Sequence, residues 1–396
     1  MFTTMAAVIT LLEDQPTLVS REAISPADAD RLWRSYRNII AVDYPSPRTN
    51  DQWRLTSQGY VGYIPLSSAL HLSLQPKVPL GNLFRMWAYA YNFDVRFLAP
   101  LFNCQSLQQA YEQLAEVLAQ RVMARIRSGL YRSYQPQQAQ LALVRGRLDV
   151  AQMARQPAHS TLPCQFEEHT ADNEDNQLLA WSLHHIAHSE LCGPRVQPIV
   201  QRALRALVGA GWVTLCAFAS RDCTGRSYHR LNQDYAALHA LCRFFLDDAS
   251  PTHLSGAQAM PPFLVDMSAL FEQFVAAWLQ KHLPAQYAIK VQERIQVGSL
   301  RPRIDLVLYR SGAPICVLDT KYKATTAMTR PEENDVYQVM AYADFKGCHE
   351  AVLIYPAAIL PFHIRSRSTR VRALAFGLAG DLDEGGQMLL QQLLPL

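Results

Sequence analysis

Over the first hundred residues, short apolar runs alternate with polar loops, which is a pattern typical of β-strands. These runs cover residues 8–12, 60–64 and 70–74. The first run has no basic residue before it and stops at Glu13 and Asp14, so we interpret it as an edge strand and not as a signal peptide. Proline and asparagine at residues 45–51 predict a loop between the first and second runs. We therefore predict a strand-rich domain over residues 1–100.

The apolar positions of residues 101–255 recur every three or four residues, which is the period of an amphipathic α-helix. The longest such pattern predicts a helix over residues 106–134. Further helices are predicted over residues 176–188, 199–207 and 235–245. Residues 247–262 are rich in Pro, Ser, Gly and Thr, and this composition predicts a linker. The sequence thus predicts a mainly helical middle region that ends at this linker.

Residues 256–396 mix strand and helix patterns, as an α/β domain does. Either Asp266 or Ser268 can cap the first predicted helix. Strands are predicted over residues 288–297, 304–309, 315–322 and 351–355, and a second helix over 332–345. A turn at residues 311–314 joins the second and third of these strands into a hairpin. The predicted fold class is α+β and multidomain, and its C-terminal α/β domain has a mixed sheet flanked by helices.

Composition narrows the class of protein. The apolar share of 49% and the charged share of 18% are typical of globular proteins, and 396 residues suffice for two or three domains. A net charge of +3 is too small to hold nucleic acid, so such a partner would need a local basic surface. No stretch approaches the roughly 20 apolar residues of a membrane span. The eight cysteines form no C-x-x-C pair, which argues against a zinc site or a disulfide framework and favours the cytoplasm.

The strongest candidate chemistry lies in the predicted hairpin. Asp319 and Lys321 are two residues apart, so a strand would place both side chains on one side. Asp305 lies on the preceding strand, close enough for its carboxylate to meet that of Asp319. Two carboxylates suit Mg²⁺, with Mn²⁺ as a substitute, and the metal can polarise a phosphate and activate water. Lys321 would orient that water and stabilise negative charge in the transition state. These three residues predict a metal-dependent phosphodiester hydrolase.

Two helices add further candidates. Glu272 lies at the flank of its helix's apolar stripe, from where it could supply a third carboxylate ligand. Gln338 and Tyr342 are neighbours on the later helix, at positions i and i+4. They could position the metal site or hold a DNA phosphate. The competing interpretation is that Glu272 is solvated and that Tyr342 packs locally.

Basic side chains near the C-terminus could contact the DNA backbone. The run that contains Arg365, Arg367 and Arg370 has no acidic residue until Asp381, which predicts a phosphate-binding patch. Lys323, the next residue along on the strand face of Lys321, is a further candidate. An ordinary solvated face is the alternative interpretation for all four.

These residues carry a resemblance to a known family. Asp305 followed by Asp319-Thr320-Lys321 resembles the PD-(D/E)xK nuclease pattern, and residues 338–342 resemble the Q-x-x-x-Y helix motif of its RecB-like branch. The wider chain resembles the McrC family, the nuclease subunits of McrBC-type modification-dependent restriction systems. The supporting segments are residues 59–64, 74–78, 144–148, 172–176, 271–272 and 303–342. The family usually has Pro directly before the first aspartate, whereas this chain has Ile304 there.

The resemblance implies a function and partners. Residues 256–396 would be a PD-(D/E)xK nuclease domain, a Mg²⁺-dependent DNA endonuclease that acts with an McrB-like AAA+ GTPase hexamer on double-stranded DNA carrying modified bases. The N-terminal domain would dock into the hexamer and stimulate its hydrolysis, and Lys77 is the candidate docking residue. The chain has no G-x-x-x-x-G-K-[S/T] motif, so the nucleotide motor must be another polypeptide. A stand-alone RecB-like nuclease and a non-catalytic adaptor that activates an AAA+ motor remain alternatives.

Overall fold

The structure is a computed structural model. It describes residues 7–67, 69–91, 104–155, 161–189, 191–209, 212–247, 263–296, 301–323, 329–366 and 369–394. The chain forms two compact units, of which the first combines Met1–Gln109 with Asp248–Leu396 and the second is Ala110–Asp247. The predicted domain boundaries at residues 100 and 255 therefore stay a prediction. The linker predicted at residues 247–262 lies almost wholly outside the described residues.

The elements follow one another in three stretches. The first contains β1 (Ala7–Leu12), β2 (Thr17–Val19), α1 (Pro26–Tyr36), β3 (Ile40–Asp43), β4 (Trp53–Ser57), β5 (Tyr60–Pro65), β6 (Leu70–Gln75) and α2 (Leu80–Ala90). The second contains α3 (Leu107–Ser128), β7 (Ser133–Leu141), β8 (Arg147–Leu148), α4 (Val150–Arg155), β9 (Leu162–Thr170), α5 (Glu174–Ala187), α6 (Gln197–Val208) and α7 (Tyr235–Asp247). The third contains β10 (Phe263–Asp266), α8 (Met267–His282), β11 (Tyr287–Arg294), β12 (Arg303–Arg310), β13 (Ala313–Thr320), α9 (Glu333–Lys346), β14 (Glu350–Tyr355), β15 (Phe362–Arg365), β16 (Arg370–Ala375) and α10 (Leu382–Leu393).

A four-stranded sheet of order β1-β6-β5-β10 joins the two ends of the first unit. The prediction that β1 is an edge strand is confirmed. β10 pairs antiparallel with β5 and runs directly into α8, whose first backbone N–H groups are capped by the Asp266 side chain. The close approach of β10 depends on Gly62, which has a φ of +140° and on which a Cβ would collide with the carbonyl oxygen of Phe263. The N-terminal strands are therefore built into the same unit as the C-terminal α/β part.

A six-stranded mixed sheet of order β11-β12-β13-β14-β16-β15 forms the C-terminal part of the first unit. β11, β12 and β13 are antiparallel, β13, β14 and β16 are parallel, and β15 returns antiparallel. Val336 and Val339 of α9 pack in one core with Val307 and Val317 of the sheet. The coarse prediction of an α+β protein with several sheets is confirmed.

The turn between β12 and β13 is a tight two-residue connection. Arg310 pairs with Ala313, and both Ser311 and Gly312 have positive φ, 48° and 85°, as such hairpin turns require. The pairing then shifts by one residue between Leu308 and Tyr309, which marks a β-bulge. The predicted hairpin is confirmed, whereas the sequence analysis did not predict the bulge.

The second unit corrects the end of one predicted helix and contains a sheet that was not predicted. The helix predicted over residues 106–134 ends at Ser128, where Gly129 has a φ of +95°, and residues 133–141 form β7 instead. β7, β9 and β8 form a three-stranded sheet inside the region that was predicted to be mainly helical. The sequence contains no signal for this sheet, because β7 has Pro136 and four glutamines instead of β-branched residues. Helices predicted over residues 176–188, 199–207 and 235–245 are confirmed as α5, α6 and α7.

The N-terminal region also holds more structure than was predicted. α1 and β2 to β4 lie between the first two predicted strands. The signals for α1 are local, since Ser25 caps its first turn and Pro26 occupies its first position. None of the helices within the described residues has both the length and the apolar content that a membrane span requires.

Candidate active site

The bulge in the β12–β13 hairpin sets the position of both aspartates. Beyond the bulge, Leu306 pairs with Leu318, so the next step of the register places Asp305 opposite Asp319. Directly opposite residues of antiparallel strands point to the same side of the sheet. Without the one-residue shift, Asp305 would lie opposite Leu318 and Asp319 would point to the other side. The bulge therefore brings the two carboxylates together.

Lys321 continues the strand and completes this group. Its backbone N–H donates to the carbonyl of Ile354 at 2.8 Å, which holds it in line with β14. Its Nζ lies 2.8 Å from Oδ2 of Asp319 and donates to Oε1 of Gln338 at 2.9 Å. Burial is the largest single effect and lowers the pKa of Lys321, but Asp319, Asp335 and Asp305 together outweigh it and raise that pKa. The lysine is therefore a fixed positive charge beside the aspartates.

A buried carboxylate on α9, which the sequence analysis missed, holds two lysines. Oδ2 of Asp335 lies 2.8 Å from Nζ of Lys323, and Oδ1 lies 3.8 Å from Nζ of Lys321. Lys323 also pairs with Glu332 at 2.8 Å. In the sequence, Asp335 is only an acidic residue three positions before Gln338. Acidic residues are common in the first turn of helices because they interact favourably with the helix dipole, so Asp335 gave no specific signal of a site. The predicted DNA contact of Lys323 stays a prediction.

Gln338 links Lys321 to Tyr342. Its Nε2 donates to the Tyr342 hydroxyl at 3.1 Å while its Oε1 accepts from Lys321. We expect Gln338→Ala to lower DNA cleavage about 10-fold to 100-fold, because Lys321 loses one of the acceptors that orient it. Steady-state DNA cleavage, assayed with the AAA+ partner that the sequence resemblance implies, measures this effect, with the exposed Asn334→Ala on the same helix as control. Equal rates for both variants would remove Gln338 from the site.

The carboxylates destabilise one another when all are charged. Burial is the main cause that raises the pKa of Asp319, to about 6, against the opposing effect of Lys321, and Asp305 raises it further. Burial also raises the pKa of Asp305, although the backbone N–H of Thr320 donates to it. Burial and then Asp305 raise the pKa of Glu272 to about 7. A cation among these groups would relieve both desolvation and repulsion.

Asp305 and Asp319 are the carboxylates that would hold a divalent cation. Oδ2 of Asp319 is buried and forms an ion pair with the Lys321 ammonium at 2.8 Å. Such an oxygen suits a hard metal ion. Across the described ranges, no group of three or more Asp, Glu, His or Cys side chains is already arranged around one point. Asp305 and Asp319 therefore form the core of the candidate site, and Glu272 would have to close onto it.

Glu272 is held by a residue that the sequence analysis missed. Nε2 of Gln292 donates to Oε1 of Glu272. Val291 pairs with Leu306 and Glu293 pairs with Ile304. The register therefore places Gln292 opposite Asp305. Its φ of +54° is in the left-handed region, which costs a residue with a Cβ roughly 1–2 kcal/mol. No local sequence pattern signalled this conformation.

The structure describes two of the three arginines in the predicted phosphate-binding patch. Arg365 on β15 is exposed and pairs in register with Arg370 on β16. Arg370 also lies 3.8 Å from Glu350, so its charge is partly balanced within the protein. Arg367 lies outside the described residues. Phosphate binding by these arginines stays a prediction.

Lys77 belongs to a polar cluster around Tyr322 and Glu13. Its Nζ lies 2.6 Å from Asp14 and 4.2 Å from the centre of the Tyr322 ring. Its backbone N–H and the Tyr322 hydroxyl both donate to Oε2 of the buried Glu13, each at 3.2 Å. Burial raises the pKa of Glu13 despite the nearby lysine. The cluster therefore links the ends of β1 and β6 to Tyr322, the residue after Lys321. The docking role of Lys77 stays a prediction.

We expect Tyr322→Phe to lower the free energy of unfolding of the full chain by about 1–3 kcal/mol, because the buried Glu13 carboxylate loses a donor. Urea unfolding measures the loss as a lower midpoint. Tyr337→Phe is the matched control, because Tyr337 is 63% exposed. Equal midpoints for the two variants would contradict a stabilising role of the cluster.

Solved structures of restriction complexes resemble this chain. A half-complex from a tetradecameric assembly of Thermococcus gammatolerans McrB AAA+ hexamers with bound McrC matches with 18% identity and a TM-score of 0.59, over 98% of this chain and 100% of that chain. A cryo-EM structure of the T. gammatolerans McrBC complex matches with 18% identity and a TM-score of 0.46, over 70% of this chain and 88% of that chain. Among curated proteins, none matches the chain.

A family model covers most of the sequence. It is described as McrBC 5-methylcytosine restriction system component and matches residues 55–356. The match includes α8 with Glu272 and α9 with Gln338. It also includes the β12–β13 hairpin with both aspartates, and Lys321 directly after it. The chain belongs to the McrBC 5-methylcytosine restriction system component family.

Proposed function

We propose that this chain is the Mg²⁺-dependent DNA endonuclease subunit of a GTP-driven, modification-dependent restriction complex. The observation that carries the proposal is the group of Asp305, Asp319 and Lys321, in which a buried carboxylate oxygen forms an ion pair with a fixed ammonium. Family membership supports a role in a restriction system. The mixed sheet with its β12–β13 hairpin and α9 supports a PD-(D/E)xK nuclease domain.

The residues have distinct roles in the proposed hydrolysis. Asp305 and Asp319 would hold the metal, and Glu272 would add a third carboxylate. Mg²⁺ held by these carboxylates would supply Lewis-acid chemistry, which polarises the phosphate and favours deprotonation of the attacking water. Lys321 orients the attacking water and stabilises the negative charge that develops on the phosphate oxygens. The water oxygen bonds to phosphorus and releases a proton to solvent, the bond between phosphorus and the leaving oxygen breaks, and that oxygen takes up a proton from solvent. Gln338 and Asp335 keep Lys321 in place through their contacts with its Nζ.

We also propose the partners. The similar solved structure contains McrB AAA+ hexamers with bound McrC, and this chain would act with an AAA+ GTPase hexamer of that kind. Double-stranded DNA with modified cytosine is the proposed substrate, in line with the description of the family. Lys323, Tyr342, Arg365, Arg367 and Arg370 are proposed to contact DNA, and Lys77 is proposed to contribute to docking.

Reconstitution tests the proposal directly. The full chain is mixed with the AAA+ GTPase of the same system, GTP, Mg²⁺ and a methylated duplex, and an unmethylated duplex serves as control. We expect cleavage of the methylated duplex only when both proteins, GTP and Mg²⁺ are present, and EDTA should stop it. Cleavage by the chain with Mg²⁺ alone would favour a stand-alone nuclease. GTPase stimulation without cleavage under any condition would favour the non-catalytic adaptor.

A further inference from the structure

Gln292 combines three features that ordinary strand residues lack. Its backbone is in the left-handed region, with a φ of +54°, in the middle of β11. Its Oε1 is buried and accepts no hydrogen bond from the described residues. Its Nε2 donates to Glu272, a carboxylate on the neighbouring helix α8. Strained backbone and an unsatisfied buried oxygen both lower stability, so their combination at one residue points to a function.

The position of Gln292 relates it to both aspartates. The register places Gln292 of β11 opposite Asp305 of β12, and the next register step places Asp305 opposite Asp319 of β13. Glu272 interacts electrostatically with Asp305 and Asp319. The side chain that holds Glu272 therefore extends from the same row across the sheet as the two aspartates.

The chemistry of an amide suits this task. A neutral amide N–H donates to one oxygen of Glu272 and leaves the negative charge of the carboxylate in place for a cation. A lysine or arginine here would form an ion pair and compete with the metal. A leucine would leave the partly buried Glu272 without a donor. Outer hydrogen-bond partners of this kind orient metal ligands in proteins.

We propose that Gln292 is a positioning residue, which holds Glu272 beside Asp305 and Asp319 so that Glu272 closes onto a divalent metal ion as its third carboxylate ligand. This inference rests on the proposed function, because it needs a metal at the aspartates. No sequence motif assigns Gln292 a role.

Metal binding by the full chain tests this role without any cleavage assay. Electron paramagnetic resonance of free Mn²⁺ gives the affinity for wild type, Gln292→Leu and Gln292→Gly. We expect both variants to bind Mn²⁺ about 10-fold to 100-fold more weakly. Their thermal midpoints should differ, because glycine relieves the positive φ and leucine does not. A merely structural role predicts the opposite, namely that Gln292→Gly keeps wild-type affinity. Gln296→Leu, an exposed position just beyond β11, is the control.

A double-mutant comparison shows whether Gln292 acts through Glu272. We expect Glu272→Gln to weaken Mn²⁺ binding, and we expect Gln292→Gly to add no further loss in that background, as coupled residues do. If wild type binds Mn²⁺, Asp319→Asn does not, and both Gln292 variants bind like wild type, the role of Gln292 is wrong and the proposed function stands. If wild type itself binds no Mn²⁺, the proposed function fails and the role of Gln292 fails with it.

Discussion

Asp319→Asn and Lys321→Ala are each expected to lower DNA cleavage by the reconstituted complex about 10²-fold to 10³-fold or more. Asparagine removes the buried carboxylate charge that would hold the metal ion. Alanine removes the ammonium that lies 2.8 Å from that oxygen. Initial cleavage rates of a methylated duplex, with partner, GTP and Mg²⁺ in excess, measure both losses.

Matched controls separate chemistry from folding and assembly. Lys281 lies at the end of α8, and Asp30 is an exposed residue of α1. Complexes with Lys281→Ala or Asp30→Asn should therefore cleave DNA at the wild-type rate. Asp319→Asn should unfold at or above the wild-type temperature without divalent ions, because it removes the repulsion with Asp305. Stimulation of the partner's GTP hydrolysis should persist in both active-site variants. Cleavage at wild-type rate by either variant would show that the site lies elsewhere.

Gly62→Ala is expected to lower the free energy of unfolding by about 2–5 kcal/mol, from backbone strain and a steric collision together. Gly62 has a φ of +140°, and an added Cβ would collide with the carbonyl oxygen of Phe263. The collision separates β10 from β5 and so breaks the sheet that joins the N-terminal strands to α8. Urea unfolding of the full chain measures the loss.

Gly59→Ala is the control for Gly62→Ala. Gly59 also has a positive φ, +70°, but an added Cβ would meet no atom within 4 Å. This variant should lose only the roughly 1–2 kcal/mol of backbone strain. Similar losses for the two variants would mean that the close approach of β10 to β5 does not stabilise the unit.

The sequence by itself determined the elements whose signals are local. The capping residue Asp266, the Ser311-Gly312 turn and the spacing of Asp319 and Lys321 all act within a few residues. Their physical basis is hydrogen bonding and backbone geometry inside one short segment. For the same reason, the apolar period predicted α8 and α9 and placed Gln338 beside Tyr342.

The tertiary structure alone decided how those pieces meet. The register shift that places Asp305 opposite Asp319 depends on a bulge in the pairing of two strands, and one residue of shift reverses every side chain. The contact of Glu13 with Tyr322 spans 309 residues of sequence. Gln292 has a left-handed backbone in the middle of β11. Strand pairing and burial are non-local, so no window of the sequence contains the groups that determine them.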